Sequence, residues 1–282
     1  MIERPRLAGI AIAAAVPLWL AAGAAAEPLD ACPGTDRKLA SGPAAVSLFE
    51  GEVGAPIRAC PRTELRAGPT GSALIDTPAF FGTIDAALRL AGAYHYGEAG
   101  ELFASVELPR YRFLQNATLT GSTFGFGWAS AGATHRLHDR RGLRVAAAAR
   151  LSTPAGPGSY TSAWPVYAEL GAAASWRAAA AISVHAYAGS ITGAALGRGP
   201  GGLRVGWQHR AGAAYQLGRR LDLLLDAGVV LGYSAALHSF DVSPGLRVRA
   251  WRDLSAELAV AVPIAGAIRT DVVGELFLAW RI

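Results

Sequence analysis

The feature that most constrains this sequence is an alternation of apolar and polar side chains from one residue to the next. The last stretch, residues 272–282, reads V-V-G-E-L-F-L-A-W-R-I. On a β-strand, Leu276, Leu278 and Trp280 would share one face and Glu275 and Arg281 the other, because successive side chains point to opposite faces. Such a strand has one apolar face and one partly charged face, and similar stretches recur over most of the chain.

The composition shows how the apolar residues must be distributed. Hydrophobic residues make up 52% of the 282 residues and charged residues only 17%, whereas average soluble domains are about 25% charged. Beyond the first 26 residues, no run approaches the ~18 uncharged apolar residues that a membrane-spanning helix needs. A chain this apolar without such runs spreads its hydrophobicity along alternating strands, which predicts an all-β fold.

The alternation predicts about twelve strands, each near the ~10 residues that a tilted membrane-spanning strand requires. They cover residues 63–67, 84–94, 101–108, 124–137, 143–151, 166–176, 182–188, 204–217, 221–229, 241–250, 254–262 and 272–282. In the stretch 124–137 the aromatic residues occupy even positions and Leu137 an odd one, so a regular strand would place them on opposite faces. A bulge is therefore predicted within this stretch. Pro244 lies inside a predicted strand, where it cannot donate to a ladder, and marks either a bulge or the true start of that strand.

The connections between the predicted strands alternate in length. Short ones fall at residues 97–100, 138–142, 177–180, 218–220 and 252–253, and long ones at 113–123, 153–164, 191–202, 231–238 and 264–270. Outer-membrane barrels have short periplasmic turns, longer outer loops and an even number of strands. The pattern therefore predicts an antiparallel up-and-down transmembrane β-barrel of about 12 strands over residues 62–282, with both ends in the periplasm. Aromatic residues beside the turns, among them Tyr94, Tyr167, Trp176 and Trp280, predict belts at the two membrane interfaces.

The N-terminal part reads differently. Residues 1–26 have the form of a signal peptide, with Arg4 and Arg6 before an apolar core and small residues at the cleavage site. Residues 27–61 are rich in Pro, Gly and small polar residues and are predicted to be a periplasmic segment, or a small plug entering the barrel. Cys32 and Cys60 both lie there, and in an exported protein they would most simply form one disulfide.

The predicted inward faces carry most of the charge. If the apolar faces meet outer-membrane lipid, the candidate pore-lining residues are Arg89, Glu107, Arg144, Arg150, Glu169, Arg204, Arg210, Asp222, Asp226, Arg247, Arg249 and Glu257, with Asp85, Glu101, Asp241 and Glu275 on the same faces. These charges could line a water-filled path, with the arginines favouring acidic solutes. Alternatively, they could pair across the lumen and close it, leaving a structural or adhesion barrel. A twelve-strand barrel is wider than the eight-strand barrel that side chains alone fill, which favours a narrow channel or transporter for small solutes.

Enzymatic chemistry has little support in the sequence. None of the 6 histidines stands in a metal-ligand spacing such as H-E-x-x-H, so no metal and no cofactor are predicted. Ser234 or Ser239 with His238 could be imagined as the centre of an outer-membrane lipase or protease, but no third group is placed to orient the histidine. The formal charge of +5 comes from arginines scattered among acids, which does not predict nucleic-acid binding. The chain is therefore predicted not to be an enzyme, and its oligomeric state stays open.

The sequence resembles bacterial outer-membrane β-barrel proteins of the porin type and, more loosely, the transporter barrels associated with aromatic-degradation pathways. The residues that carry the resemblance are Ser-Pro-Gly-Leu-Arg-Val at 243–248, the strand at 254–263 and the closing strand at 275–282. The resemblance implies a Gram-negative outer membrane, and it implies the barrel assembly machinery as a partner that reads the last strand. Such barrels usually end in an aromatic residue, whereas this chain ends in Ile282, with Trp280 two positions earlier on the same face.

Overall fold

The computed structural model describes residues 63–76, 81–97, 99–115, 120–155, 164–196, 204–218, 220–232, 237–251, 253–266 and 272–282. The predicted signal peptide, the N-terminal segment and the predicted Cys32–Cys60 disulfide lie outside these residues. No helix within the described ranges is long and apolar enough to cross a membrane.

The described residues form strands throughout. Their bounds are β1 (Glu64–Asp76), β2 (Phe81–Tyr96), β3 (Gly100–Gln115), β4 (Thr120–Gly125), β5 (Trp128–Arg140), β6 (Leu143–Pro154), β7 (Trp164–Arg177), β8 (Ile182–Leu196), β9 (Arg204–Gln216), β10 (Leu221–Gly232), β11 (Leu237–Arg249), β12 (Leu254–Ala265) and β13 (Val272–Arg281).

The strands close into an antiparallel up-and-down barrel. β4 and β5 both pair with β3, β5 along its first half and β4 along its last residues, so together they occupy one position in the wall, interrupted at Phe126 and Gly127. β1 pairs with β2 on one side and β13 on the other, and the Ile282 amide donates to the Thr63 carbonyl oxygen at 3.2 Å. The prediction of about twelve strands is confirmed, because the ring has 12 strand positions.

Strand ends differ most from prediction on the side of the longer connections. β3 runs to Gln115 and β4 begins at Thr120, so most of the predicted connection 113–123 is a paired hairpin. β1 likewise extends from Glu64 to Asp76, well beyond the predicted 63–67. The reason is that ladder bonds to a neighbouring strand stabilise stretches whose own strand propensity is weak. On the opposite side the turns are tight, with positive φ at Gly97 (58°) and Gly142 (76°), a conformation that glycine adopts without steric cost.

The irregularities predicted from parity are partly confirmed. The wall is interrupted at Phe126 and Gly127, and this break lets Phe124 and Leu137 both lie on the outer surface, 74% and 65% exposed, although one is an even and the other an odd position. The register between β5 and β6 also shifts between Arg136 and His138. Pro244 lies in the middle of β11 and not at its start. It pairs with Leu225 of β10, while the register with β12 has no partner for it between Val242 and Gly245. An edge without a ladder bond is where a residue lacking an N–H costs least.

The barrel is apolar outside and charged inside. Large apolar side chains such as Leu88, Leu225, Leu276 and Leu278 are exposed on the outer surface, whereas the inner wall carries buried arginines and carboxylates. This is the inverse of a soluble protein and matches the outward-facing apolar band of a membrane barrel. Exposed aromatic residues follow the rim at the short turns: Tyr94, Tyr96, Trp176, Tyr215, Trp251 and Trp280. Tyr167 does not join them, because it points into the barrel with 6% exposure.

Candidate functional site: the inner wall of the barrel

The structure places most of the predicted pore-lining side chains on the inner wall. Those that are inward and at least nine-tenths buried are Arg89, Glu107, Arg144, Arg150, Glu169, Arg210, Asp222, Asp226, Arg247 and Glu257. Arg249 also belongs to this wall, with 29% of its side chain exposed. Arg204 is the first residue of β9, and its side chain lies outside what the structure describes. Buried charges must be paired to be tolerated, so the partners of these groups determine what the wall can do.

One group of charges lies near the short-turn end, and we call it the basal cluster: Glu64, Arg66, Asp222, Arg247, Arg249 and Glu257. Arg249 Nη2 lies 2.7 Å from Asp222 Oδ2, and Arg247 Nη2 lies 3.1 Å from Glu257 Oε2. Arg66 contacts Glu64 on its own strand and approaches Glu257 Oε2 at 3.7 Å. The signs alternate along the cluster, so it links β10, β11, β12 and β1 into one continuous network.

A second group, the lateral cluster, consists of Asp85, Arg89, Glu107, Arg110, Arg112 and Glu275. Arg89 bridges two carboxylates, with Nη2 2.7 Å from Glu107 Oε1 and Nη1 3.2 Å from Glu275 Oε1. Its guanidinium also lies 5.9 Å from the ring centre of Phe277, within the range of a cation–π contact. Arg112 Nε binds Asp85 Oδ1 at 2.8 Å.

Sequence reasoning missed Arg110 and Arg112 in the lateral cluster. Along β3, inward positions are odd-numbered as far as Glu107 and even-numbered at Arg110 and Arg112. The register between β2 and β3 shifts at the same place, between Ala87 and Arg89. A strand that ends at Leu108, as predicted, cannot reveal this switch. The only available signal was Pro109, which often accompanies a break in strand pairing.

Further pairs lie on β5 to β11, among them Arg144 of β6 with Asp139 of β5, whose Nε and Oδ1 atoms are 3.0 Å apart. Arg150 of β6 and Tyr187 of β8 both contact the Glu169 carboxylate of β7. His185 Nε2 lies 2.6 Å from Asp226 Oδ1, joining β8 to β10. Arg210 Nη2 lies 2.6 Å from Asp241 Oδ1, joining β9 to β11. The His185–Asp226 pair spans β9, and the Arg210–Asp241 pair spans β10. The two pairs therefore overlap along the wall.

Glycines on the inner wall make room for these long side chains. A Cβ on Gly212 of β9 would collide with Asp226 Oδ1 and lie 2.6 Å from His185 Nε2. A Cβ on Gly228 of β10 would lie 2.6 Å from Arg210 Nη2. Gly171 and Gly189 similarly leave space for the hydroxyl end of Tyr187. From sequence these glycines only weakened the strand pattern, but their inward parity beside long polar residues was a signal that could have been used.

The ion pairs run along the wall. Every pair that joins two described side chains links positions on one strand, on adjacent strands, or on strands with one strand between them. Opposite walls of a ring of 12 positions are much further apart in strand order. Among the described side chains the pairs therefore lie along the wall, while the alternative in which charges pair across the lumen stays a prediction.

Some inner-wall polar atoms lack a protein partner. Ser239 Oγ, Asp241 Oδ2 and Ser243 Oγ of β11 are buried without a hydrogen bond to any described group, and so is His185 Nδ1. Such atoms are uncommon in folded proteins and need an explanation. As for metals, the described residues include no group of three or more His, Cys, Asp or Glu placed to hold an ion.

No family model and no curated protein matches this chain. Solved structures do match it. An outer membrane channel from Pseudomonas putida F1 superposes with a TM-score of 0.56 at 13% identity, covering 79% of this chain and 96% of that one. The β domain of the Bordetella autotransporter BrkA gives 0.53 at 9% identity, covering 78% and 100%. The KdgM porin in complex with disordered oligogalacturonate gives 0.51 at 9%, covering 78% and 99%.

These similar structures are a channel, a porin and an autotransporter domain, so what this chain shares with all of them is architecture. The chain folds as a closed antiparallel β-barrel of the outer-membrane type.

Proposed function

We propose that this protein is an outer-membrane barrel whose charged inner wall lines a narrow channel for small polar solutes. The membrane location is supported by the apolar outer surface and by the aromatic rim at the short turns, which together form the girdle that membrane barrels present to lipid. The channel role is supported by the fold it shares with solved outer-membrane channels.

The observation that carries the channel is the direction of the ion pairs. Arg150–Glu169, Arg210–Asp241 and Arg247–Glu257 hold their charges against the wall, and inward glycines let Arg210 and Tyr187 lie flat. Ion pairs between opposite walls would close the barrel. Ion pairs along one wall stiffen that wall and do not obstruct the barrel axis. Twelve strands enclose more space than their own side chains fill.

The same pairing bears on selectivity. Each arginine of the basal and lateral clusters contacts a carboxylate, so the wall has little uncompensated positive field to concentrate acidic solutes. We therefore propose weak charge selectivity, in place of the preference for acidic solutes that the arginines suggested in the sequence.

Planar-bilayer recordings of the folded, purified protein test the proposal. Stepwise conductance is expected, with a reversal potential close to zero in a gradient of potassium chloride. Folding is checked first by the shift in gel mobility between heated and unheated samples. Protein that passes this check and yet inserts without any conductance steps would contradict the channel.

A closed structural barrel is the second candidate, and one observation favours it. Asp222, Asp226 and Asp241 are exposed by only 0–1%, less than residues beside open water would be. Swelling of proteoliposomes in glycerol separates the two candidates, because a channel admits glycerol and a closed barrel excludes it. The hydrolase hypothesis gains no support: Ser239 is on the inner wall without a hydrogen-bonded base among the described residues, and Ser234 and the His238 side chain lie outside them.

A further inference from the structure

The rim of the barrel at the short turns carries more positive than negative residues. At or directly beside these turns the sequence has the arginines Arg140, Arg141, Arg177, Arg219, Arg220, Arg252 and Arg281 and the acids Glu98, Asp139 and Asp253. The charged residues of the connections at the other end, 77–80, 116–119, 155–163, 197–203, 233–236 and 266–271, are Arg198, Arg269 and Asp271. The excess of positive charge is therefore concentrated at the short-turn end.

Three exposed arginines of this rim have no carboxylate partner among the side chains that the structure describes. They are Arg140, Arg141 and Arg220, and we call them the rim arginines. The acid next to Arg140 in sequence, Asp139, is already engaged, with Oδ2 3.0 Å from Arg136 Nη1 and Oδ1 3.0 Å from Arg144 Nε. The rim arginines therefore present guanidinium groups that can bind another anion.

Arg141 occupies a backbone position that arginine does not favour. It has a φ of 52° and precedes Gly142, whose φ is 76°. The two residues form the turn between β5 and β6. When both residues of such a turn have positive φ, Asn, Asp and Gly are preferred there, and positive φ is uncommon for other residues. Formation of the turn therefore does not explain why Arg141 is an arginine.

The turns that carry the rim arginines lie beside exposed tryptophans. Trp176 of β7 is 42% exposed and pairs with the first residue of β6, so it adjoins the turn of Arg141. The Arg220 carbonyl oxygen accepts a hydrogen bond of 2.8 Å from the amide of residue 249, two positions before Trp251, which is 78% exposed. Tryptophans at a membrane interface lie at the level of the lipid headgroups.

Resting on the membrane location proposed above, we propose that the rim arginines bind the phosphate groups of anionic phospholipids in the periplasmic leaflet. Short turns face the periplasm in outer-membrane barrels, which assigns the leaflet. A guanidinium group binds phosphate with two parallel hydrogen bonds. The neighbouring tryptophans favour a lipid over a soluble acidic partner, because they hold this rim at headgroup depth.

The test measures which lipids surround the folded barrel in liposomes of phosphatidylcholine and phosphatidylglycerol. One lipid at a time carries brominated acyl chains, which quench tryptophan fluorescence, and the quenching gives the ratio of the two association constants. At low salt we expect wild type to favour phosphatidylglycerol about fivefold, the attraction of one arginine near an anionic surface. R140Q/R141N/R220Q is expected to lower the ratio to about one, and high salt to lower the wild-type ratio.

Two single variants separate binding from folding. R141N is expected to lower the ratio to about threefold and to fold at least as readily as wild type, because asparagine suits this turn. It also decides the proposal if the triple variant does not fold. The matched control is R136Q, which removes the same charge from the same rim. Because Arg136 is already paired with Asp139, R136Q is expected to keep the wild-type ratio.

Several outcomes would overturn the lipid site. Equal association of the two lipids with wild type would do so, and this is the result that a soluble acidic partner predicts. A preference that R140Q/R141N/R220Q retains, or that R136Q loses as fully as R141N, would also overturn it. Quenching by neither lipid would refute the membrane location and the lipid site together, and is thereby distinguished from failure of the site alone.

Discussion

At the scale of single residues, the inner wall depends on positions that carry no side chain. Gly212 lies under the His185–Asp226 pair, and besides that pair a Cβ there would come within 2.8 Å of the Leu225 carbonyl oxygen. Backbone cannot move aside as the end of a side chain can. The glycine is therefore required by packing and not by its φ angle.

Gly212→Ala is expected to lower the free energy of unfolding by about 1–3 kcal/mol, the range for overpacked sites. Urea unfolding in detergent, followed by tryptophan fluorescence, measures it. Gly274→Ala of β13 is the control, since its added Cβ would meet nothing within 4 Å. Equal free energies of unfolding for the two variants would contradict this, because they would show that the neighbours of Gly212 move aside for the added Cβ.

The buried pairs can be compared with a more exposed one. Arg150→Met leaves the buried Glu169 carboxylate without its arginine, in a pair whose side chains are only 2% and 3% exposed. We therefore expect the free energy of unfolding to fall by about 3–5 kcal/mol. Arg136→Met removes a pair with Asp139 whose side chains are 25% and 34% exposed, and should cost about 0–1 kcal/mol. Urea midpoints of both variants give the comparison, and adding Glu169→Gln to Arg150→Met should recover part of the loss. A loss as small as that of Arg136→Met would contradict pairing at this position.

At the scale of elements, the outward face of each strand is defined by its contact with lipid. Leu276 lies near the middle of β13 and is 44% exposed, whereas Leu254 is the first residue of β12 and lies at the short-turn rim. Leu276→Arg is expected to destabilise the barrel in lipid by about 2–4 kcal/mol and Leu254→Arg by about 0–1 kcal/mol, because the cost of a charge depends on depth. Reversible unfolding from liposomes measures both, and equal costs would refute the assigned membrane position.

At the scale of the whole molecule, the ring closes between its first and last strands. β1 pairs with β13 from Glu64 opposite Arg281 to Ala73 opposite Val272, so the seam is made entirely of strand residues. Cys32→Ser/Cys60→Ser is therefore expected to fold to the same heat-modifiable band as wild type. The predicted disulfide is checked separately, as a mobility difference between reduced and unreduced denatured wild type. Failure of the double variant to form the folded band would mean that closure depends on the segment before β1.

Much of this architecture could be read from the chain alone. The alternation of residues such as Leu221, Leu223 and Leu225 with Asp222 and Asp226 determined the strands and their faces, because side-chain parity is a local property of strands. It also determined which charges share the inner wall. Parity also predicted an irregularity within residues 124–137, since one extra residue moves every later side chain to the other face, and the wall is interrupted there at Phe126 and Gly127.

Only the tertiary structure decided which charges meet. Arg210 reaches Asp241 and His185 reaches Asp226 over an intervening strand, and such partners depend on register and on the space that Gly228 and Gly212 leave. Neither is a property of one strand. Register also brought Arg66 to Glu257 across β13 and left buried atoms of Ser239, Asp241 and Ser243 without a hydrogen bond to any described group. The sequence determined that the wall would be charged, while the closed ring determined that its charges pair along the wall.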